Sequence, residues 1–133
     1  MDKVFEKIKE EILKNVECEA IVLFGSFSRN TQKEDSDIDI AIKPLTSQTK
    51  KQIFELKNKL EDVAKRDIDL IDLNEANDCI KYEILMTGIT LYCKDEFKFE
   101  MYKLDAYREF LDLNESRMSI IERVKNGGTI YGE

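Results

Sequence analysis

The chain contains no histidine and only three cysteines, and these two shortages narrow the chemistry that it can perform. Without histidine, a Ser-His-Asp or Cys-His mechanism, a histidine zinc site and a histidine general base are all excluded. Cys18, Cys79 and Cys93 form no CxxC pair, and an odd number of cysteines is typical of reduced thiols in the cytoplasm. Any catalysis must therefore rest on carboxylates, hydroxyls, backbone amides and a hard metal ion.

Long apolar runs and an excess of positive charge are also missing. No stretch approaches the roughly 20 apolar residues of a membrane span, and the charged N-terminal segment MDKVFEKIKEE lacks the apolar centre of an export signal. The 133 residues carry 21 lysines and arginines against 28 aspartates and glutamates, for a net charge of −7. General binding of DNA or RNA is therefore disfavoured, and we expect a single cytoplasmic domain.

Four short apolar segments have the pattern of β-strands. AIVLF (20–24) is an unbroken run followed by glycine, and DIDIAI (37–42) alternates strictly until Pro44 ends it. DIDLIDL (67–73) and ITLYC (89–93) resemble further strands. Between the first two strands lies a polar segment rich in turn-forming residues, which we interpret as a functional loop.

Helical periodicity fills the remaining chain, in the order α-β-loop-β-α-β-α-β-α. The first predicted helix spans residues 2–15, and the second is capped by Thr46 or Ser47 and ends near residue 65. The third is capped by Asn74 and ends at Gly88. The last begins at Asp95 and has a break near Asn114. This order predicts an α/β (α+β) fold with a small mixed sheet of about four strands flanked by helices. We expect one domain with a core over 1–94, a helical extension over 95–126 and a tail over 127–133.

Two aspartates on the second predicted strand point to a metal site. Asp37 and Asp39 share the face opposite three isoleucines, and a spacing of two residues separates them by roughly 7 Å. Ionised carboxylates at that distance repel by about 2 kcal/mol at an effective dielectric constant near 20, and nothing in the strand pattern requires that cost. A divalent cation bound between the two carboxylates would turn this repulsive electrostatic energy into a net attraction. Ligation by oxygen atoms alone favours Mg²⁺ over zinc.

A third acid is available on the third predicted strand. Asp69 lies on the face of Ile71 and Leu73, where a charged side chain needs a partner or a function. If this strand neighbours the second, Asp69 completes a cluster of three carboxylates. Asp67, at the strand start, and Asp72, on the opposite face, are the alternatives for this third position.

Gly25 and Ser26 directly follow the first predicted strand, with ten residues between Ser26 and Asp37. A glycine at such a turn lets backbone amides approach a ligand closely, and these amides together with a serine hydroxyl can hold a phosphate. A Gly-Ser pair alone is usually only a turn. Its combination with an apolar strand before it and Asp-Ile-Asp ten residues later is far rarer.

The segment IVLFGSFSRNTQKEDSDIDIAI resembles the signature of the polymerase-beta-like nucleotidyltransferase superfamily, in particular its minimal, MNT-type branch. The match covers residues 20 to about 93 and includes an arginine three residues after the serine, Arg29. Many members have glycine after that arginine, where this chain has Asn30, the next most tolerant residue for positive φ. In length and in its helical C-terminus the chain resembles the MntA-like adenylyltransferase antitoxins of HEPN/MNT toxin–antitoxin systems.

The resemblance implies a set of roles for these residues. Asp37 and Asp39 would bind two Mg²⁺ ions with the triphosphate of a nucleotide, for which ATP is the expected donor. Asp69 would bind the second ion and act as base, or activate the acceptor hydroxyl through the metal. Gly25 and Ser26 would hold the β- and γ-phosphates, with Arg29 supporting the loop or the phosphates.

The resemblance also implies an acceptor, and here alternatives remain open. The expected reaction is transfer of AMP from ATP to a hydroxyl on a partner HEPN-domain toxin encoded nearby, with tyrosine as the expected acceptor residue, so that the protein acts as an antitoxin. A small-molecule acceptor such as an aminoglycoside is the second possibility, although 133 residues leave little room for an acceptor-binding domain. A non-catalytic antitoxin that neutralises by binding is the third. Association into homo- or hetero-oligomers is open.

Overall fold

The computed structural model describes the backbone of residues 2–25 and 37–125, and the side chains of residues 3–25 and 37–113. Eight elements follow one another in the predicted order. They are α1 (Asp2–Asn15), β1 (Cys18–Phe24), β2 (Ile38–Pro44), α2 (Lys50–Ala64), β3 (Ile68–Asp72), α3 (Asp78–Thr87), β4 (Ile89–Cys93) and α4 (Glu96–Lys125).

The four strands form one mixed sheet in the order β3-β2-β1-β4, which confirms the predicted fold class. β1 pairs antiparallel with both β2 and β4, whereas β2 and β3 are parallel. A parallel pair requires a long crossover connection, and α2 supplies it. The second and third predicted strands are therefore neighbours, as the proposed carboxylate cluster requires.

Each face of the sheet carries its own apolar layer. On one face the isoleucines of β2 pack with residues of α1 and α2, namely Ile8, Ile12, Leu56 and Leu60. On the other face Val22 and Ala41 pack with residues of α3 and α4, namely Ile84, Leu85, Phe99 and Ala106. Since side chains alternate along a strand, Asp39 shares the second face with Ala41.

Helices α2 and α3 begin two to three residues later than the sequence predicted. α2 is capped by Thr49 rather than Thr46 or Ser47, because Thr49 and Gln52 form a reciprocal capping box with N···O distances of 3.1 and 2.8 Å. α3 is capped by Asn77 rather than Asn74, and the Asn77 side chain accepts a hydrogen bond from the backbone of Ile80.

Asn74 belongs instead to the turn after β3. Its backbone N–H donates to Asp72 Oδ1 at 2.9 Å, and its side-chain amide donates to the Pro44 carbonyl at 3.1 Å. These contacts hold the end of β3 to the end of β2, so that asparagine is unavailable as a helix cap. A cap and a turn use the same side-chain chemistry, which is why the sequence pattern did not separate them.

The predicted break in the last helix is wrong, because α4 continues without interruption past Asn114 to Lys125. Relative to alanine, asparagine in a helix interior destabilises the helix by less than about 1 kcal/mol. This penalty is too small to interrupt a helix of 30 residues. Phe99 and Ala106 anchor α4 against the second face of the sheet. Phe97 remains 75% exposed. The predicted tail over 127–133 lies outside the described residues.

Candidate active site

The parallel register of β2 and β3 places Asp39 directly beside Asp69. Register partners on neighbouring strands point to the same face and their backbones are about 4.8 Å apart. Both aspartates therefore lie on the face that α3 and α4 partly cover, Asp39 half-buried and Asp69 exposed. Asp67 precedes β3 and its carbonyl accepts a hydrogen bond from the backbone of Ile38, at 3.0 Å. Of the three candidates for the third acid, Asp69 is the one beside Asp39.

Asp37 is exposed and lies one residue before β2 begins. Within residues 3–25 and 37–113, no three acidic or thiol side chains lie close enough together to form a metal cage by themselves. The predicted cluster of three carboxylates is therefore represented in the structure by the register pair Asp39 and Asp69. In proteins, Mg²⁺ usually binds through one or two carboxylates together with substrate phosphates and water. The donor set contains only oxygen atoms, and the pair Asp39 and Asp69 leaves coordination positions for a phosphate.

Gly25 ends β1 in a conformation that favours glycine, with φ of +73°. A Cβ atom at this position would overlap the Asp39 carboxylate at Oδ2. The contact follows from the register, because Phe24 is the partner of Asp39 on the antiparallel strand. The glycine therefore brings the backbone directly after β1 against the Asp39 carboxylate. Ser26 and Arg29, the other two predicted phosphate-binding residues, lie outside the described residues.

Asp72 lies on the opposite face of the sheet and is excluded from this cluster. It is the register partner of Ile42 and is only 7% exposed. Its Oδ2 atom has no hydrogen-bond partner in the part of the chain that the structure describes. Burial raises the pKa of the Asp72 carboxyl above its ordinary value, against the lowering effect of the Asn74 backbone N–H. The ionised Asp72 carboxylate therefore destabilises the folded state, and it lies on the face of the sheet opposite Asp39 and Asp69.

Substitution of Asp72 by asparagine is expected to stabilise the protein at neutral pH. Because the folded-state pKa of Asp72 is raised, ionisation costs stability above that pKa, and the cost disappears as the pH falls below the unfolded-state value of about 3.9. Asp72→Asn should therefore have a higher Tm than wild type at pH 7, and the difference should shrink towards pH 4. Thermal unfolding followed by circular dichroism across this range measures it. A variant less stable at every pH would contradict the argument.

A cavity of about 220 Å³ lies between the end of β1 and α3, and it was not predicted from the sequence. Its lining residues are Phe24, Gly25, Ile80, Glu83, Ile84 and Thr87. For this segment the sequence predicted only a helix that ends at Gly88. The position of α3 over the end of β1 is a tertiary property, so the sequence contained no signal that Glu83 would line the same cavity as Gly25.

Residues 6–97 match the family of polymerase beta nucleotidyltransferases, and the chain belongs to this family. It is thus a nucleotidyltransferase, an enzyme class that acts on nucleotide substrates. A protein adenylyltransferase MntA of Shewanella oneidensis is 30% identical over 125 residues, which cover 92% of this chain and 86% of that protein. In the part of the chain that the structure describes, none of the helices has the length and apolar composition needed to span a bilayer.

Solved structures extend the similarity to the whole fold. A toxin–antitoxin structure with AMP-PNP contains a chain that superposes with a TM-score of 0.82 at 29% identity, covering 91% of this chain and 98% of that one. A chain in the complex of a tri-AMPylated Shewanella oneidensis HEPN toxin with an MNT antitoxin superposes with a TM-score of 0.78 at 26% identity, covering 93% and 98%. The comparisons confirm the predicted family and fold.

Proposed function

We propose that this protein transfers AMP from ATP to a hydroxyl, preferably of a tyrosine, on a partner HEPN-domain toxin, and thereby acts as an antitoxin in the cytoplasm. The register pair Asp39 and Asp69, with Gly25 packed against it, is the observation that carries the chemistry. The acceptor is proposed from similarity, since related solved structures are toxin–antitoxin complexes and one contains an AMPylated HEPN toxin. The predicted function agrees with these relatives.

In this proposal Asp37, Asp39 and Asp69 hold two Mg²⁺ ions together with the triphosphate. The metal supplies positive charge that neutralises the phosphates and stabilises the charge that develops during transfer. Asp39 and Asp69 repel one another at neighbouring register positions, and this repulsion is relieved when a cation is held between them. Asp37, Asp39 and Asp69 would therefore hold and orient the metal ions and the triphosphate, and no protein nucleophile is required.

Gly25, Ser26 and Arg29 are proposed to hold the β- and γ-phosphates. Gly25 supports this role because it has a positive φ of +73° and leaves no room for a Cβ atom beside the Asp39 carboxylate. Backbone N–H groups that follow such a turn can point together at an anion. The Ser26 hydroxyl and the Arg29 guanidinium would add hydrogen bonds to the same phosphates.

The direct test is mass spectrometry of the toxin encoded beside this gene after incubation with the protein, ATP and Mg²⁺. We expect the toxin to gain the mass of one or more AMP units. The α,β-methylene analogue of ATP should give no gain, because its bond between the α-phosphorus and the pyrophosphate cannot break. ATP labelled at the α-phosphorus should label the toxin, whereas ATP labelled at the γ-phosphorus should not.

The alternatives predict different outcomes in the same assay. A toxin that remains unmodified while an added aminoglycoside gains AMP would favour a small-molecule acceptor. A toxin that is neutralised without any gain in mass, in the absence of ATP, would show that binding alone is sufficient. Either result would overturn the proposed acceptor.

A further inference from the structure

The cavity between β1 and α3 adjoins the acidic pair. Phe24, which lines the cavity, is the register partner of Asp39, so the two side chains share one face of the sheet. Gly25, which also lines it, is the residue whose Cβ would overlap the Asp39 carboxylate. The cavity and the Asp39 carboxylate therefore share Gly25 as a common neighbour.

The lining of the cavity combines apolar walls with one carboxylate. Phe24, Ile80 and Ile84 supply the apolar surface. The Thr87 hydroxyl donates to the backbone carbonyl of Glu83 at 2.6 Å, so its proton is already used. The side chain of Glu83 is exposed and is the acidic group of the lining. An apolar site with one strong hydrogen-bond acceptor suits a ring that carries a single O–H group.

The size of the cavity agrees with an aromatic ring. An apolar protein cavity of about 150 Å³ holds benzene, so about 220 Å³ leaves room for a phenol. The short side chains of serine and threonine would leave the three apolar walls unfilled. Lost contact of this kind costs affinity, because the walls have no atoms packed against them.

We propose that this cavity receives the phenol ring of the acceptor tyrosine and that Glu83 accepts the hydrogen of its hydroxyl. The inference rests on the proposed function and assigns its acceptor site. In the transfer, a bond forms between the phenolic oxygen and the α-phosphorus, the bond from that phosphorus to pyrophosphate breaks, and the phenolic proton passes to the Glu83 carboxylate. Glu83, rather than Asp69, is then the residue that accepts the proton, and the three aspartates hold the metal ions.

The binding half of the proposal is tested with N-acetyl-L-tyrosinamide as the probe, without nucleotide. In methyl NMR spectra the probe should shift the Ile80 and Ile84 signals, and so should N-acetyl-L-phenylalaninamide, whereas N-acetyl-L-serinamide should not. Ile80→Asp should weaken binding of the tyrosine probe at least about tenfold, since a charge replaces an apolar wall. Met86→Asp is the matched control on the same helix, because Met86 and Ile80 are equally exposed, at 43%, and Met86 does not line this cavity.

The catalytic half is tested by AMP transfer to the toxin. Glu83→Gln should lower the rate constant by about a hundredfold or more and leave the affinity for the tyrosine probe unchanged, as expected for loss of a proton acceptor. Wild-type transfer rates in both Glu83→Gln and Ile80→Asp would overturn the inference and leave the proposed function standing. Probe binding that depends on Ile80 without any AMP transfer by wild type would support the cavity and overturn the proposed function. Absence of probe binding to wild type would overturn the inference.

Discussion

Asp39→Asn should abolish AMP transfer while the protein remains folded. Asp39 is the central acid of the proposed site, because its strand position makes it the neighbour of Asp69 on one side and of Gly25, directly after β1, on the other. Asparagine keeps the shape of the side chain but removes the charge that would hold Mg²⁺. Loss of one preorganised charge at a transition state lowers the rate by about 10²–10³-fold. For a carboxylate that is proposed to hold the metal, we expect a decrease of at least about 10³-fold.

Turnover should be measured as pyrophosphate release with saturating ATP and toxin, alongside the Tm of the variant without metal. We expect the Tm to be equal to or above that of wild type, because the substitution relieves repulsion from Asp69. Asp62→Asn is the control, since Asp62 is an exposed acid on α2 and lies outside the site. Unfolding of Asp39→Asn would show that the carboxylate is structural, and full turnover would remove it from the active site.

Gly25→Val should lose both stability and nucleotide binding. The backbone at this position has a φ of +73°, which costs a residue with a side chain about 1–2 kcal/mol, and valine is stiffer than most. Its Cβ would also overlap the Asp39 carboxylate, so the acid must move away from its position beside Asp69. We expect ATP affinity in the presence of Mg²⁺ to fall at least about tenfold, since metal and phosphate contacts are disturbed together.

Gly88→Ala separates the effect on stability from the effect on the site. A Cβ at Gly88 would overlap the Val22 side chain, so this variant should also have a lower Tm. Gly88 is the C-cap of α3, and the nearest atoms to a Cβ there belong to Val22, Ile84 and Leu23 rather than to an acid of the site, so the folded protein should keep its ATP affinity. Calorimetric titration of both variants with ATP and Mg²⁺, below their unfolding temperatures, makes the comparison. Equal ATP affinity in Gly25→Val and wild type would place the nucleotide elsewhere.

The strand prediction succeeded where the sequence alternated. In DIDIAI the three isoleucines all lie in the buried layer against α1 and α2, and Asp39 lies on the opposite face. The reason is local, because the period of two fixes which side chains share a face whatever the strand's neighbours are. The same alternation separated Asp69 from Asp72 on β3, so their opposite faces were also predictable.

Helix boundaries were less predictable. Thr46, Ser47 and Thr49 are all chemically able to cap α2, and the choice fell on Thr49 because Gln52 completes its capping box. Asn74 and Asn77 are equivalent as potential caps of α3, but the contact of Asn74 with Pro44 depends on two strands that are 30 residues apart in the chain. Such competition is decided by long-range contacts.

The sequence by itself determined the chemistry of this protein: the absence of histidine, the oxygen-only donor set, and the spacing of Gly25, Asp37 and Asp39 that identifies the family. Only the tertiary structure decided that β3 lies beside β2 with Asp69 at the register position of Asp39, and that Glu83 of α3 lines the same cavity as Gly25. The physical reason is that composition and periodicity are properties of neighbouring residues. Strand order, register and the packing of a helix over a strand end are instead set by burying both apolar faces of the sheet at once.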